Sequence, residues 1–398
     1  MAKKRLAALL TAVLLFGCIQ FPTQYERIES DRVRLLDFIY DPPEAAPGDT
    51  VTVRAVFAGR ALSPEDLSWK VSWKVVKNIY GTDTSFDEQE LPATIEQGTF
   101  SEKTGCVNVR FVIPDNCIAE SPMVPQEWTS LLPGELKGEI PGEIASLSKT
   151  EVLSMVDSLA RFVEQADEAG LAAAEALMPE QVARLSMMVQ LLTVPVRLFA
   201  DIRKDHRIQS DYTVSYSSKF ASWPATGVYA NTNPRIDSVG VYKVEGANLM
   251  RFNPEGANTE FIPLSITGRD TARIPVDKGY SYFLRVFTGR RDTVYTLGDM
   301  MQGNSPSRIE EHSAEWLFQM EDDETEDLVP DDLMNATVLG DFDGLLLPPR
   351  KRRVINFTLW VQVTDSKLGV LNRSQGSALA EMHGVFDYTG AYLDQFKK

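Results

Sequence analysis

Period-two alternation constrains this chain more than any other feature. Val51, Val53, Ala55 and Phe57 share one side of the run Val51-Thr-Val-Arg-Ala-Val-Phe57. Leu67, Trp69, Val71, Trp73 and Val75 do the same in Leu67-Ser-Trp-Lys-Val-Ser-Trp-Lys-Val75. A strand throws successive side chains to opposite faces, so such runs build half-buried strands rather than helices. Val33–Ile39 and Cys106–Ile113 read the same way, and Pro42, Pro43 and Pro47-Gly48-Asp49 supply a stiff turn between the first two. Several short strands separated by turn signals predict antiparallel sheets facing one another.

The period changes after Pro125. Ser148-Lys-Thr-Glu151 is a capping-box signature, and Val152, Met155, Val156, Leu159, Phe162 and Val163 follow at helical spacing. Gly170 is expected to end or interrupt this helix. Pro179 suits the first turn of the next, which carries Val182, Leu185, Met188, Val189 and Leu192. Pro195 is expected to break that helix, with Val196–Ile202 resuming it. Strands return at Tyr212–Tyr216, so the helical block is expected to be an insertion before the last strand of the first β unit. A second β region follows, with strands expected near 236–244, 261–266, 272–275, 281–288, 314–320, 354–364 and 382–388.

The N-terminus carries a different signal. Lys3, Lys4 and Arg5 precede an apolar run from Leu6 to Phe16, then Gly17-Cys18. A basic start and an apolar run too short to span a bilayer predict a cleaved export signal. Leu15-Phe16-Gly17-Cys18 resembles the lipobox of bacterial lipoproteins. That resemblance implies that Cys18 receives a diacylglycerol, that residues 1–17 are removed and that the new N-terminus is acylated. Three acyl chains exceed the two signals that stable anchoring takes. Ile19 is not the Asp that marks inner-membrane retention in that family, so the resemblance implies the outer membrane.

Composition narrows the partners. The 398 residues suffice for two or three domains. Formal charge is −16, and more negative by three once Lys3, Lys4 and Arg5 are cut away. That sign disfavours nucleic acid. Cys106 and Cys117 remain after Cys18, and an exported chain invites a bridge between them. The strand from Cys106 to Pro114 would extend roughly 26 Å, and three more residues return only about 10 Å, so free, buried thiols are expected.

Chemistry-bearing constellations are sparse. His206, His312 and His383 lie far apart without zinc spacing, and no nucleophile elbow, phosphate-cradling loop or Cys-x-x-Cys occurs. No catalytic residue and no cofactor is assigned. Eight of the twelve residues Glu321–Asp332 are acidic, and Asp341-Phe-Asp343-Gly follows. Asp341 and Asp343 are weak calcium candidates, weighed against a solvated acidic loop facing Arg350-Lys-Arg-Arg353. Trp223 and Tyr229 are candidate sugar-stacking residues, weighed against burial in a core.

Asp41-Pro-Pro-Glu-Ala-Ala-Pro-Gly-Asp-Thr-Val-Thr-Val53, followed by a Trp-bearing strand, resembles the opening of bacterial immunoglobulin-like domains over about ninety residues. The resemblance implies a mainly β fold of two immunoglobulin-like antiparallel β-sandwiches with an α-helical insertion. The expected order is signal peptide 1–17, tether 18–32, first sandwich 33–124, helical insertion 125–207, last strand and linker 208–232, and second sandwich 233–398. The function expected is a lipid-anchored envelope protein that binds or scaffolds a protein or polysaccharide partner. A secreted carbohydrate-active hydrolase and a surface carbohydrate-binding protein are the alternatives.

Overall fold

Alternating β-branched and aromatic residues do form strands here, and their two faces are both used. The computed structural model describes residues 28, 33–59, 67–76, 86–101, 104–121, 124–131, 142–177, 188–189, 192–202, 206–223, 230–246, 259–289, 293–294, 308–309, 311–320, 334–335, 344–346, 354–365, 375–390 and 394. The first β unit contains β1 (Val33–Asp41), β2 (Thr50–Gly59), β3 (Leu67–Val76), β4 (Phe86–Leu91), β5 (Ala93–Thr99), β6 (Gly105–Val112), β7 (Thr193–Ile202) and β8 (His206–Ser215). The second contains β9 (Ile236–Glu245), β10 (Thr259–Leu264), β11 (Thr267–Val276), β12 (Tyr280–Thr288), the two-residue pair β13 (Thr293–Val294) and β14 (Arg308–Ile309), β15 (His312–Met320), β16 (Met334–Asn335), β17 (Gly344–Leu346), β18 (Val354–Asp365) and β19 (Ser377–Tyr388).

Among the described residues four larger sheets result. Sheet 1 runs β4-β3-β7-β8, sheet 2 β1-β2-β6-β5, sheet 3 β11-β19-β18-β15 and sheet 4 β10-β9-β12-β17-β16. Pairing is antiparallel throughout these sheets except between β11 and β19, which run parallel. Val51, Val53, Ala55 and Phe57 of sheet 2 are buried against Val71, Tyr212 and Val214 of sheet 1, as the alternation predicts. Val239, Val241 and Leu284 of sheet 4 meet Leu359, Val361 and Met382 of sheet 3 in a second core. A third cluster joins the backs of sheets 2 and 3: Leu36, Val56, Ala58 and Cys106 from one, Leu317 and Trp360 from the other. The molecule is therefore a stack of four sheets in the order 1-2-3-4.

Among the described residues the two longest helices lie between β6 and β7. Ser148 caps the helix Lys149–Gln165 as the sequence predicts: its hydroxyl accepts from the Glu151 N–H while Glu151 accepts from the Ser148 N–H. The buried stripe is Val152, Leu153, Val156, Ala160 and Val163. Met155 and Phe162, expected on that stripe, are 37% and 41% exposed. The helix closes at Gln165 rather than Gly170, because Asp167 starts a new one, Glu168–Leu177, by accepting from the Gly170 N–H at 2.8 Å.

Thr193–Ile202 corrects the expected resumption of helix over 196–202: it is strand β7, between β3 and β8. Pro195 sits opposite Thr213 but beyond the run paired with β3, which stops at Val196, so it interrupts no rung there. Two strands, not one, thus return to the first unit, and the return begins at Thr193 rather than near 208. Cys106 and Cys117 are free and buried. The expected second helix start at Pro179 lies outside the described residues.

Candidate functional site: a polar seam between two sheets

Buried ionisable groups concentrate where sheets 2 and 3 meet. The strand β1 delivers one of them through a bulge. Val33 and Leu35 point into the first core, as do Phe38 and Tyr40, while Leu36 and Ile39 point to the third cluster. The register with β2 slips between Leu35 and Asp37. That extra residue lets Leu36 and Asp37 face the seam in succession, which simple alternation forbids.

Asp37 is buried there, and Gln362 of β18 donates to its Oδ1 at 2.7 Å. Burial pushes its carboxyl up from 3.8 to about 6, with repulsion from Glu315 adding to it; the Ser377 hydroxyl, the Gln362 amide and the Phe38 backbone act the other way.

Glu381 of β19 is the second buried carboxylate, only 2% exposed. Its Oε2 accepts from Ser101 Oγ at 2.7 Å, from Trp360 Nε1 at 3.0 Å and, in a very short contact, from Thr104 Oγ1. Trp360 Nε1 is also 3.1 Å from Thr104 Oγ1. One carboxylate oxygen thus gathers donors from both sheets' sides of the seam. Its other oxygen, Oε1, is 3.0 Å from His383 Nε2. His383 Nδ1 in turn lies 3.2 Å from Thr358 Oγ1.

Carboxylate, imidazole and hydroxyl in line are the order used to activate a nucleophile. Here the hydroxyl belongs to a residue 1% exposed, inside packed layers, so a substrate does not reach it. The arrangement instead satisfies buried polar groups that would each be costly if left alone. Sequence reading missed this cluster. Its one sequence signal is Glu381-Met-His383, two polar residues on the same face of a strand whose other face, Ala380 and Met382, is core.

The linker between the two units stitches the seam's end. Asn231 donates its backbone N–H to Glu44 Oε2 and its Nδ2 to Asp365 Oδ2, both at 2.7 Å. Asn233 donates Nδ2 to the Tyr40 carbonyl at 2.7 Å and accepts from the Ser377 N–H at 3.0 Å. Glu44, itself buried, also accepts from Ser215 Oγ at 2.7 Å. At the other side, Ile28 donates its N–H to the Phe318 carbonyl at 3.0 Å and buries its side chain in the third cluster.

The residues singled out from sequence fall elsewhere. Trp223 is 4% exposed in the first core, with Phe162 edge-on at 6.4 Å, which is a packing position rather than a stacking platform. Tyr229, Asp341, Asp343 and Cys18 lie outside the described residues, as does the acidic run 321–332. His312 Nδ1 lies 2.8 Å from Thr288 Oγ1, apart from the contacts of His383. Among the described residues no group of three or more His, Cys, Asp or Glu side chains is placed to hold a metal ion. Burial drives the Cys117 thiol up to about 12 and raises that of Cys106.

No protein-family model, curated protein or solved structure matches the chain. The functional reading accordingly rests on the residues and the geometry above.

Proposed function

We propose that this chain is a lipid-anchored protein of the bacterial cell envelope, held at the outer membrane through Cys18, that acts as a binding or scaffolding module. In this reading the two sheet pairs are immunoglobulin-like sandwiches, and the helical insertion is the distinctive surface that they carry. One observation carries the proposal: Leu15-Phe16-Gly17-Cys18 directly after a basic start and an apolar run. Geometry supports it. Ten residue steps separate Cys18 from Ile28, which is already docked against β15. Fully extended, they reach about 35 Å. An anchor at Cys18 would keep the stacked body near the bilayer surface. No helix among the described residues is long and apolar enough to cross a membrane. The Glu381 carboxylate gathers donors from both sides of the seam, which suits a stiff support.

The test is Cys18→Ser in the full-length chain, expressed in a bacterium with lipoprotein processing. Loss of fatty-acid labelling and release from the membrane fraction are expected. Unchanged acylation and membrane retention in the variant would overturn the anchor. Reproducible polysaccharide turnover by the purified protein, abolished by one carboxylate substitution, would overturn the non-catalytic part.

A further inference from the structure

The seam is sealed by ionisable groups as well as by apolar ones. Leu36, Val56, Ala58, Cys106, Leu317 and Trp360 exclude water, and the carboxyl of Asp37 is held among them, accepting from Gln362 Nε2 at 2.7 Å. Of the strands packed against Asp37, β18 presents the neutral Gln362, β19 the neutral Ser377 and β15 the acidic Glu315. Glu381 and His383 lie along the same seam on β19, and Arg54, on an exposed position of β2, is near Cys106. Among the described residues no cation stands with the groups that act on Asp37, so its ionised form meets burial and a like charge together.

We propose that the seam is a proton-controlled clasp: with Asp37 protonated the two sheet pairs lock together, and with Asp37 ionised they part more readily. The direction follows from linkage. Freed into water, Asp37 returns to its ordinary 3.8; closed, it sits at about 6. The closed state therefore keeps a proton that the open state releases between those values. Closure is strongest below about pH 4, weakens as pH rises to about 6 and is level above it. Asp37 alone changes the closing equilibrium by up to about 100-fold, at tenfold per unit of pKa difference.

The chain carries its own reporter. Cys106 is buried in the seam, whereas Cys117 is buried in the first core. A small thiol reagent reaches Cys106 when the seam opens, and peptide mass mapping separates the two sites. With the full chain in detergent solution, rates are compared at matched pH to cancel the thiolate fraction. At pH 7.5, Asp37→Asn is expected to slow Cys106 labelling by up to about 100-fold relative to the native chain. Across pH 4 to 7, the native chain is expected to open progressively, relative to Asp37→Asn, while Cys117 stays protected in both. Equal or faster Cys106 labelling in the variant at pH 7.5, with Cys117 still protected, overturns the clasp. Should Asp37→Asn expose Cys117 as well, Glu315→Gln supplies the decision, because that side chain is exposed. Removing its charge is expected to move the midpoint of Cys106 opening to lower pH, and an unmoved midpoint overturns the proposal.

Discussion

Trp360 shows how much a single residue settles in this protein. Its ring fills the seam with the apolar cluster, and its indole N–H reaches the same Glu381 oxygen that Ser101 and Thr104 use. Replacing it with Phe removes one donor from a buried carboxylate and leaves a small void. We expect Trp360→Phe to lower unfolding stability by about 2–4 kcal/mol, read from the urea midpoint, with circular dichroism showing strand content retained. Gly384 makes the complementary point. A Cβ there would come within 2.1 Å of the Phe357 ring, which is stacked against Phe386 at 4.4 Å and Phe318 at 5.4 Å and has nowhere to move. Neither role is visible in local sequence, because the partners are distant along the chain.

Elements were the legible scale. The helix Lys149–Gln165 starts where Ser148 and Glu151 say it should, since a capping box needs only residues within one turn. Ser148→Ala should cost about 1 kcal/mol of local stability. The expected readout is faster amide exchange over the first turn, 149–152, with sheet amides unchanged. Glu151 adds a pH sign: hydrogen bonds from the Ser148 side chain and backbone hold its carboxyl below the usual range. That contribution is therefore present near neutrality and fades as pH falls through the acid range. The strands of the first β unit were equally readable where alternation was clean, as in β2 and β6. The register failed where one extra residue mattered. The bulge in β1 turns Asp37 to the seam, and Thr193–Ile202 became strand because β3 and β8 supply ladders on both sides, which local Pro chemistry does not reveal.

Across the whole molecule, the seam makes one body of two β units. Ile28 plugs its edge, bonding to β15 and packing into the third cluster. We expect Ile28→Ala to speed Cys106 labelling at pH 7.5 by tenfold or more, on a loss of about 2–4 kcal/mol, while Cys117 remains protected. If the tether is also the membrane anchor, tension on it is applied at the seam.

Local chemistry is what the sequence determined by itself: the turn at Pro47-Gly48, the helix cap and the alternating strands. It also held an undervalued clue. Ala55-Val-Phe-Ala58 is apolar on both faces, as in a strand covered on both sides, and β2 is indeed buried front and back. Tertiary structure alone decided what covers that second face, and so which carboxylates lose their water. Burial is a property of the partner surface, and that surface lies more than two hundred residues further along the chain. Spacing can aim Glu381 and His383 to one side of a strand; only the opposing sheet makes that side an interior.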